Sequence, residues 1–387
     1  MQSGEKDSSR SKKEPAKTKT ALRVERAQIT VAHAGHKFGH KHHVFIAKLK
    51  RGEVWALNQL KGATKTAVTP LFEMWPPTPG TKTKPAKSLQ QHSTDLIQML
   101  ASEWTGLPCY IDTQYLWSAG SPSPASLQTV FGIARALNVS AVPVTSPLFP
   151  PAFQQAISTV IATDGRGVMF RLPLTFFNNL QNVGAYLNGL AAAVGVGKDQ
   201  IDILVDLAYR PNVVEVQQMG AFCLDNLPSI NDWRTVTLAA GCFPDSISTD
   251  PTGQWIPYDR SDWNGWNVVA GQRYTASKRI PSYGDYGVRC GGAPVVIPNS
   301  PAPNIRYTDA QAIQVRKGPK APLAMRTICA NLITQAFFSG ATFSQGDSEI
   351  AQKAAMTSPA NGSPEQWIQW CTNHYLELTA SQIQSLP

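Results

Sequence analysis

A (β/α)8 barrel is the fold this sequence predicts, and three observations carry the prediction. Short apolar runs recur eight times past residue 43, helical stretches separate them, and most runs end in a polar or charged residue. Alternating strands and helices imply parallel pairing through crossover helices. Eight such units in about 300 residues match a closed barrel. A doubly wound open sheet is the alternative. No glycine-rich fingerprint follows the first run, which counts against its dinucleotide-binding version.

The runs are HVFIAKLK (43–50), AVTPLFEM (67–74), PCYIDT (108–113), SAVPVTS (140–146), GVMFRLP (167–173), IDILVDLA (201–208), RTVTLAAG (234–241) and YGDYGV (283–288). Their length and their β-branched and aromatic content are strand signals. Between them, SLQQHSTDLIQMLASEW places Leu89, Leu96, Ile97 and Leu100 at helical spacing. PPAFQQAISTVIATDG opens on proline, whose missing N–H costs nothing in a first turn, and closes on Gly165. PLAMRTICANLITQAFF supplies a further amphipathic helix after the eighth run. Segment 289–322 breaks the repeat. It reads as an elaborated loop after strand eight, with a short hairpin. The barrel domain is expected over 43–387, with helices at its C-terminal end.

Hydrophobic residues make up 42% of the 387 and supply a sizeable core. No apolar run approaches the ~18 residues of a membrane span. The N-terminus lacks the apolar segment of a signal peptide. The six cysteines form no CxxC pair, and reduced, buried thiols are expected. Together these predict a cytoplasmic protein without a membrane partner. The net charge is +9, and residues 1–43 hold ten Lys or Arg against four Asp or Glu. Residues 1–42 are thus expected to be a basic, disordered tail, either solubilising or touching nucleic-acid phosphates. The tract HAGHKFGHKHH gathers five of the seven histidines, but without carboxylates or cysteines it does not read as a dedicated metal site.

In a barrel the C-terminal strand ends share one face, where active sites sit. The first run ends in Lys48 and Lys50, the second in Glu73, the third in Asp112, the fifth in Arg171, the sixth in Asp206 and the eighth in Asp285, beside Tyr283 and Tyr286. Charges seldom enter an apolar strand unpaired. Glu73, Asp112, Asp206 and Asp285 are therefore candidate acid–base groups. Lys48, Lys50 and Arg171 are candidate phosphate ligands, joined by Arg306 from the long loop and by Tyr283. Glu73, Asp112 and Asp206 are the candidates for holding a divalent cation such as Mg2+. Catalysis there would be hydrolytic, as in a phosphodiesterase or nuclease. The opposing reading is an ion-pair network that only closes the barrel. Trp255, Trp263 and Trp266 surround Arg260 in WIPYDRSDWNGW, either stacking a base or packing as a lid.

Several motifs carry a resemblance. FIAKLKRGEVWALNQL, VTPLFEM and YIDT come first, then RSDW, YGDYG, NIRYT and WIQWCTNHYLEL, in order along residues 44–378. The chain resembles the Beta protein family of phages and mobile elements. Its Lys-x-Lys-x-Gly-Glu opening corresponds to Lys48, Lys50, Gly52 and Glu53, and its Pro-Leu-x-Glu strand to Pro70, Leu71 and Glu73. HYL departs from the family's usual His-His. The resemblance implies a cytoplasmic protein of phage or prophage accessory loci, where relatives are associated with antiphage defence. It also implies a possible protein partner from the same locus, whose toxicity the protein would restrain. It transfers no reaction. The ligand expected at the barrel mouth is phosphate-bearing, a nucleotide or nucleic acid.

Overall fold

The computed structural model describes residues 37–80, 85–116, 123–289, 291 and 301–386. Most of the expected tail, residues 1–36, lies outside them, as do His33, His36, Cys290 and most of the glycine-rich stretch after it. In chain order, β1 (His43–Lys48) leads through α1 (Arg51–Asn58) and α2 (Gly62–Ala67) into β2 (Val68–Glu73). Then come α3 (Leu89–Glu103), β3 (Cys109–Asp112), α4 (Pro124–Ala136), β4 (Ala141–Thr145) and α5 (Pro151–Asp164). The next elements are β5 (Val168–Pro173), α6 (Leu180–Val194), β6 (Ile201–Tyr209), α7 (Val213–Asp225) and β7 (Thr235–Gly241). Strand β8 (Trp255–Asp259), α8 (Ser261–Thr275) and β9 (Ser282–Asp285) follow. The hairpin β10 (Asn304–Thr308) and β11 (Ala312–Lys317) precedes α9 (Ala324–Leu332), α10 (Gln345–Ala355) and α11 (Pro364–Gln384).

Strands β1 to β7 and β9 form a closed parallel barrel. Closure is made by β1 on β9, with His43 opposite Tyr283, Val44 opposite Gly284 and Phe45 opposite Asp285. An open sheet is therefore ruled out. The eight expected runs are the eight barrel strands. Local signals set the helix ends: Ser88 and Ser123 cap α3 and α4 through their hydroxyls, and Gly165 ends α5 in the left-handed region.

Alternation along the strands separates two faces. Val44, Ile46, Leu71, Tyr110, Val142, Val144, Met169, Leu204, Ala239 and Tyr286 form a buried cluster of their own, the barrel interior. Neighbours of opposite parity, such as Phe45, Phe72, Ile111, Phe170, Ile203 and Tyr283, join the larger core beneath the helices. A polar plug lies at the N-terminal end of the interior. Arg234 grips Asp202 through Nε and Nη2, at 2.9 and 2.5 Å, and the Tyr110 hydroxyl donates to the same carboxylate at 2.9 Å.

Two expectations change. The hairpin after the eighth strand is present, but it pairs with β8 in a three-stranded antiparallel sheet. WIPYD is therefore strand, not lid, because Trp255, Ile256 and Tyr258 find partners nearly 60 residues away, at Arg316, Val315 and Ile313. Trp263 and Trp266 are buried on α8, edge-on to Tyr283 at 5.2 and 5.5 Å. Arg260 is buried too, lying over Trp263 and Tyr375 and donating to Gln382 and Thr379. These groups glue α8 and α11 to the barrel and present no stacking platform. Five cysteines are free and buried, which matches their reading as small hydrophobes. No helix among the described residues is long and apolar enough to cross a membrane.

Candidate functional site

The interior parity that carries the apolar layer ends, one step higher, in charge. Two residues beyond Ile46, Leu71, Tyr110, Met169, Leu204 and Gly284 stand Lys48, Glu73, Asp112, Arg171, Asp206 and Tyr286. Arg171 is the hub. Its Nη1 donates to Glu73 Oε1 at 2.9 Å and to Asp112 Oδ2 at 2.7 Å. Its Nε and Nη2 both reach Asp206 Oδ2, at 2.9 and 2.7 Å. Nη2 also donates to the Tyr286 hydroxyl at 2.8 Å, and that hydroxyl donates onward to Asp206 Oδ2 at 2.7 Å. Four of the five guanidinium N–H groups thus donate hydrogen bonds within the cluster, and Nη2 stands in ion-pair contact with Asp206 besides.

Three carboxylates around one guanidinium is an acidic arrangement. Burial pushes the Glu73 carboxyl up to about 7, against the pull of Arg171, with Asp112 and Asp206 adding to the rise. Burial also raises Asp112, again opposed by Arg171. Tyr286 is raised well above the usual phenol by burial and stays a neutral donor. Burial works against the charge on Arg171, but Tyr286, Asp206, Glu73 and Asp112 outweigh it and hold the guanidinium charged.

A cavity of about 460 Å³ opens beside this cluster. Asp112, Arg171, Asp206 and Tyr286 face it from the barrel, Tyr115 and Phe149 from the loops after β3 and β4, and Arg210 from the end of β6. Its volume is that of an ordinary small-molecule site. Tyr115 is stacked on Trp75 with centroids 4.1 Å apart, so that wall is braced. Gly241 and Gly291 make the space for the Tyr286 ring, and Gly284 lets β9 pack closely on β7. A Cβ at 241 would stand 3.0 Å from that ring, and one at 284 would meet Ala239 and Thr237 at 2.8 Å.

The expected residues therefore divide. Glu73, Asp112, Arg171 and Asp206 come together at the mouth. Lys48 is buried next to Glu73 in register, its ammonium 5.6 Å from the Trp75 ring centroid, and it lines a separate void of about 10 Å³ with Glu53, Glu73 and Arg289. Lys50 is exposed and precedes α1, so the two lysines do not share a face. Asp285 is one residue out of the interior parity. It points into the helix layer, where Oδ2 meets His43 Nε2 at 2.6 Å and Oδ1 accepts from Gly287 N. Tyr283 lies on that outer face as well, its hydroxyl 3.3 Å from that of Tyr375. Arg306 lies over Phe243 and donates to the Val288 carbonyl, away from the cluster.

Glu73, Asp112 and Asp206 do not fit a Mg2+ site, because the guanidinium of Arg171 fills the centre that an ion would need. Among the described residues no three His, Cys, Asp or Glu side chains are grouped to hold a metal. Of the histidine tract, His42 contacts Thr69 and His43 contacts Asp285. Sequence reading missed Arg210 and the Gln114 side chain, which donates to Asp112 Oδ2 at 2.7 Å. Tyr286 was visible beside Asp285, and counting in twos from Gly284 would have preferred it.

Fold and site define a class: a (β/α)8-barrel protein with a buried arginine–carboxylate cluster beside a cavity at the C-terminal mouth. The chain belongs to the Beta protein family, whose sequence profile matches residues 44–380. Membership associates it with phages and mobile elements. Among solved structures, triosephosphate isomerase from Bartonella henselae is similar at 10% identity and a TM-score of 0.30, over 62% of this chain and 91% of that one. The barrel assignment stands on the strand pairing itself. Comparison with curated proteins found no match.

Proposed function

We propose that the mouth cavity binds a small phosphate-bearing ligand, a nucleotide or a nucleic-acid end, and that the protein serves an antiphage defence locus carried by a phage or prophage. The observation that carries the binding reading is the cavity itself, with fixed polar groups at one end, aromatic walls and Arg210 on its rim. Apolar walls with a few convergent polar groups are the usual make-up of a ligand site. The family's setting among phages and mobile elements supports the defence role. The test is calorimetric titration of the full chain with nucleotides and short 5′-phosphorylated oligonucleotides, repeated with Arg210→Ala. Binding weakened tenfold or more by the substitution is expected. The absence of binding by every nucleotide and oligonucleotide would sink the reading.

A second reading, restraint of a toxic protein partner from the same locus, takes its support from the outer helices. Val214 and Phe222 on α7 and Val268 and Tyr274 on the adjacent α8 are exposed apolar side chains. Co-purification with the neighbouring gene product tests it, and Phe222→Asp or Tyr274→Asp should release that partner.

A further inference from the structure

The structure assigns the two ends of the cavity to opposite chemistries, and with them a ligand class and its orientation. We infer that the ligand is a nucleotide whose amino-bearing base faces Asp112 and Asp206, with its phosphate held outward by Arg210. The inference rests on the binding reading above and deepens it.

The floor is rich in acceptors and poor in donors. Arg171, the obvious phosphate ligand by sequence, is buried and already donates four hydrogen bonds to Glu73, Asp112, Asp206 and Tyr286. A phosphate placed there would have to approach Asp112 and Asp206, whose like charge disfavours it. Acceptor capacity does remain. Asp112 Oδ1 accepts from Gln114 N, and Asp206 Oδ1 from Ala208 N, one bond on an oxygen that can take two. A group with N–H donors satisfies those oxygens.

The cation suited to an anion is Arg210. Its Nε is buried and has no hydrogen-bond partner among the described residues. Nη1 donates to the carbonyl of its own neighbour, Tyr209. Among the described residues no carboxylate is paired with it, unlike Arg171 and Arg234. Its backbone is fixed from both sides, with Arg210 N donating to Gly241 O at 2.7 Å and Ser261 Oγ donating to Arg210 O at 2.5 Å. The end of β6 is irregular, and this irregularity sets Arg210 in place. Asp206 pairs with Ala239 and Tyr209 with Gly241, so one extra residue is inserted on the β6 side. Ala208 takes a φ of 56°, held by Asp206 Oδ1. The same carboxylate thus serves the floor and fixes the bulge that carries the chain round to Arg210. Between the two ends, Tyr115, Phe149 and Tyr286 offer flat surfaces to a planar ring.

The full chain is titrated with AMP, CMP, GMP and UMP, with the matching nucleosides, and with inorganic phosphate. At least one amino-bearing nucleotide should bind tenfold or more tightly than UMP, and phosphate alone should not compete. Arg210→Ala should erase the advantage of that nucleotide over its nucleoside while leaving nucleoside affinity within about twofold; Arg210→Lys should restore part of it. Circular dichroism confirms that both variants are folded. UMP binding as tightly as the rest, phosphate competing equally, or Arg210→Ala weakening nucleoside and nucleotide alike overturns the orientation while leaving a binding site. Silence from every ligand overturns the binding reading and this inference together. A 5′-phosphorylated trinucleotide of the preferred base distinguishes the source. Tighter binding than the mononucleotide marks a nucleic-acid end, and equal or weaker binding marks the free nucleotide.

Discussion

Arg171 and Asp206 stand on adjacent barrel strands, offset by one inward step, and meet at a single carboxylate oxygen, through a hydrogen bond from Nε at 2.9 Å and an ion-pair contact from Nη2 at 2.7 Å. In the strand register Arg171 lies opposite Leu204 and Pro173 opposite Asp206, so the guanidinium reaches upward to the layer of the acids. This offset allows one side chain to touch β2, β3, β6 and the end of β9 together.

Removing the hub should be costly. Arg171→Met leaves Glu73, Asp112 and Asp206 buried without their counterion, and breaking a buried pair typically costs about 3–5 kcal/mol. Urea unfolding should show a loss of unfolding free energy of that size, read as a lower midpoint at unchanged slope. Adding Glu73→Gln to Arg171→Met should recover part of it, since one uncompensated charge is removed. Additive losses in the double-mutant cycle would mean that the two side chains are energetically independent.

Stability should fall as pH rises towards neutrality. The Glu73 carboxyl goes from an ordinary value of 4.5 when unfolded to about 7 when folded, so the folded state binds the extra proton between those limits. A group raised in the folded state contributes stability below its unfolded pKa and loses it on passing the folded one. At 1.36 kcal/mol per unit the swing is on the order of 3 kcal/mol. Lys48, Glu53, Asp112, Arg171, Asp206 and Arg289 all lie around this carboxyl. Asp262, raised to about 6 by burial and then by Asp285, adds a loss of the same sign. Urea midpoints at pH 5 and pH 7.5 should therefore converge in Glu73→Gln, and partly in Asp262→Asn. An unchanged slope in both variants would assign the pH dependence elsewhere.

Asp285 should matter for stability and not for ligand binding. It is fully buried against His43, outside the cavity. Asp285→Ala strands a buried histidine and a backbone N–H, a loss of about 2–4 kcal/mol by the usual cost of unsatisfied buried groups. Affinity for any nucleotide the protein binds should stay within twofold in the folded variant. A tenfold change would place Asp285 in contact with the site.

Gly284→Ala tests the close packing of β9 on β7, two residues before Tyr286. The new methyl would stand 2.8 Å from Ala239 Cβ and Thr237 Cγ2, inside the closed barrel. Overpacking of this kind costs about 1–3 kcal/mol. The thermal midpoint should drop, and the affinity of the mouth should fall as the Tyr286 ring shifts. A variant with unchanged stability would show that the barrel accommodates the methyl by relaxing.

The barrel was legible because its signals are local. Eight apolar runs, Ser88 and Ser123 at helix starts and Gly165 at a helix end each act over a few residues, and eight short parallel strands have few ways to close. Glu73, Asp112, Arg171 and Asp206 were legible for a related reason. Each is a charge flanked by apolar residues in its strand, and each sits two places beyond an interior residue. Asp285 looked equivalent, but a one-residue offset sends it to the other face. Trp255 to Asp259 gave no strand signal of their own, because their partners on β11 are distant in sequence.

By itself, then, the sequence determined that eight strands build the barrel, roughly where each lies, and which acids and bases stand near one end of them. Alternation and helical periodicity are properties of neighbouring residues, and they survive without tertiary context. Only the folded barrel decided which charges meet. Arg171 donates to Glu73, Asp112, Asp206 and Tyr286, and Arg210 keeps a buried Nε without a partner among the described residues, because closing β1 on β9 and inserting one residue into β6 bring together groups far apart in the chain.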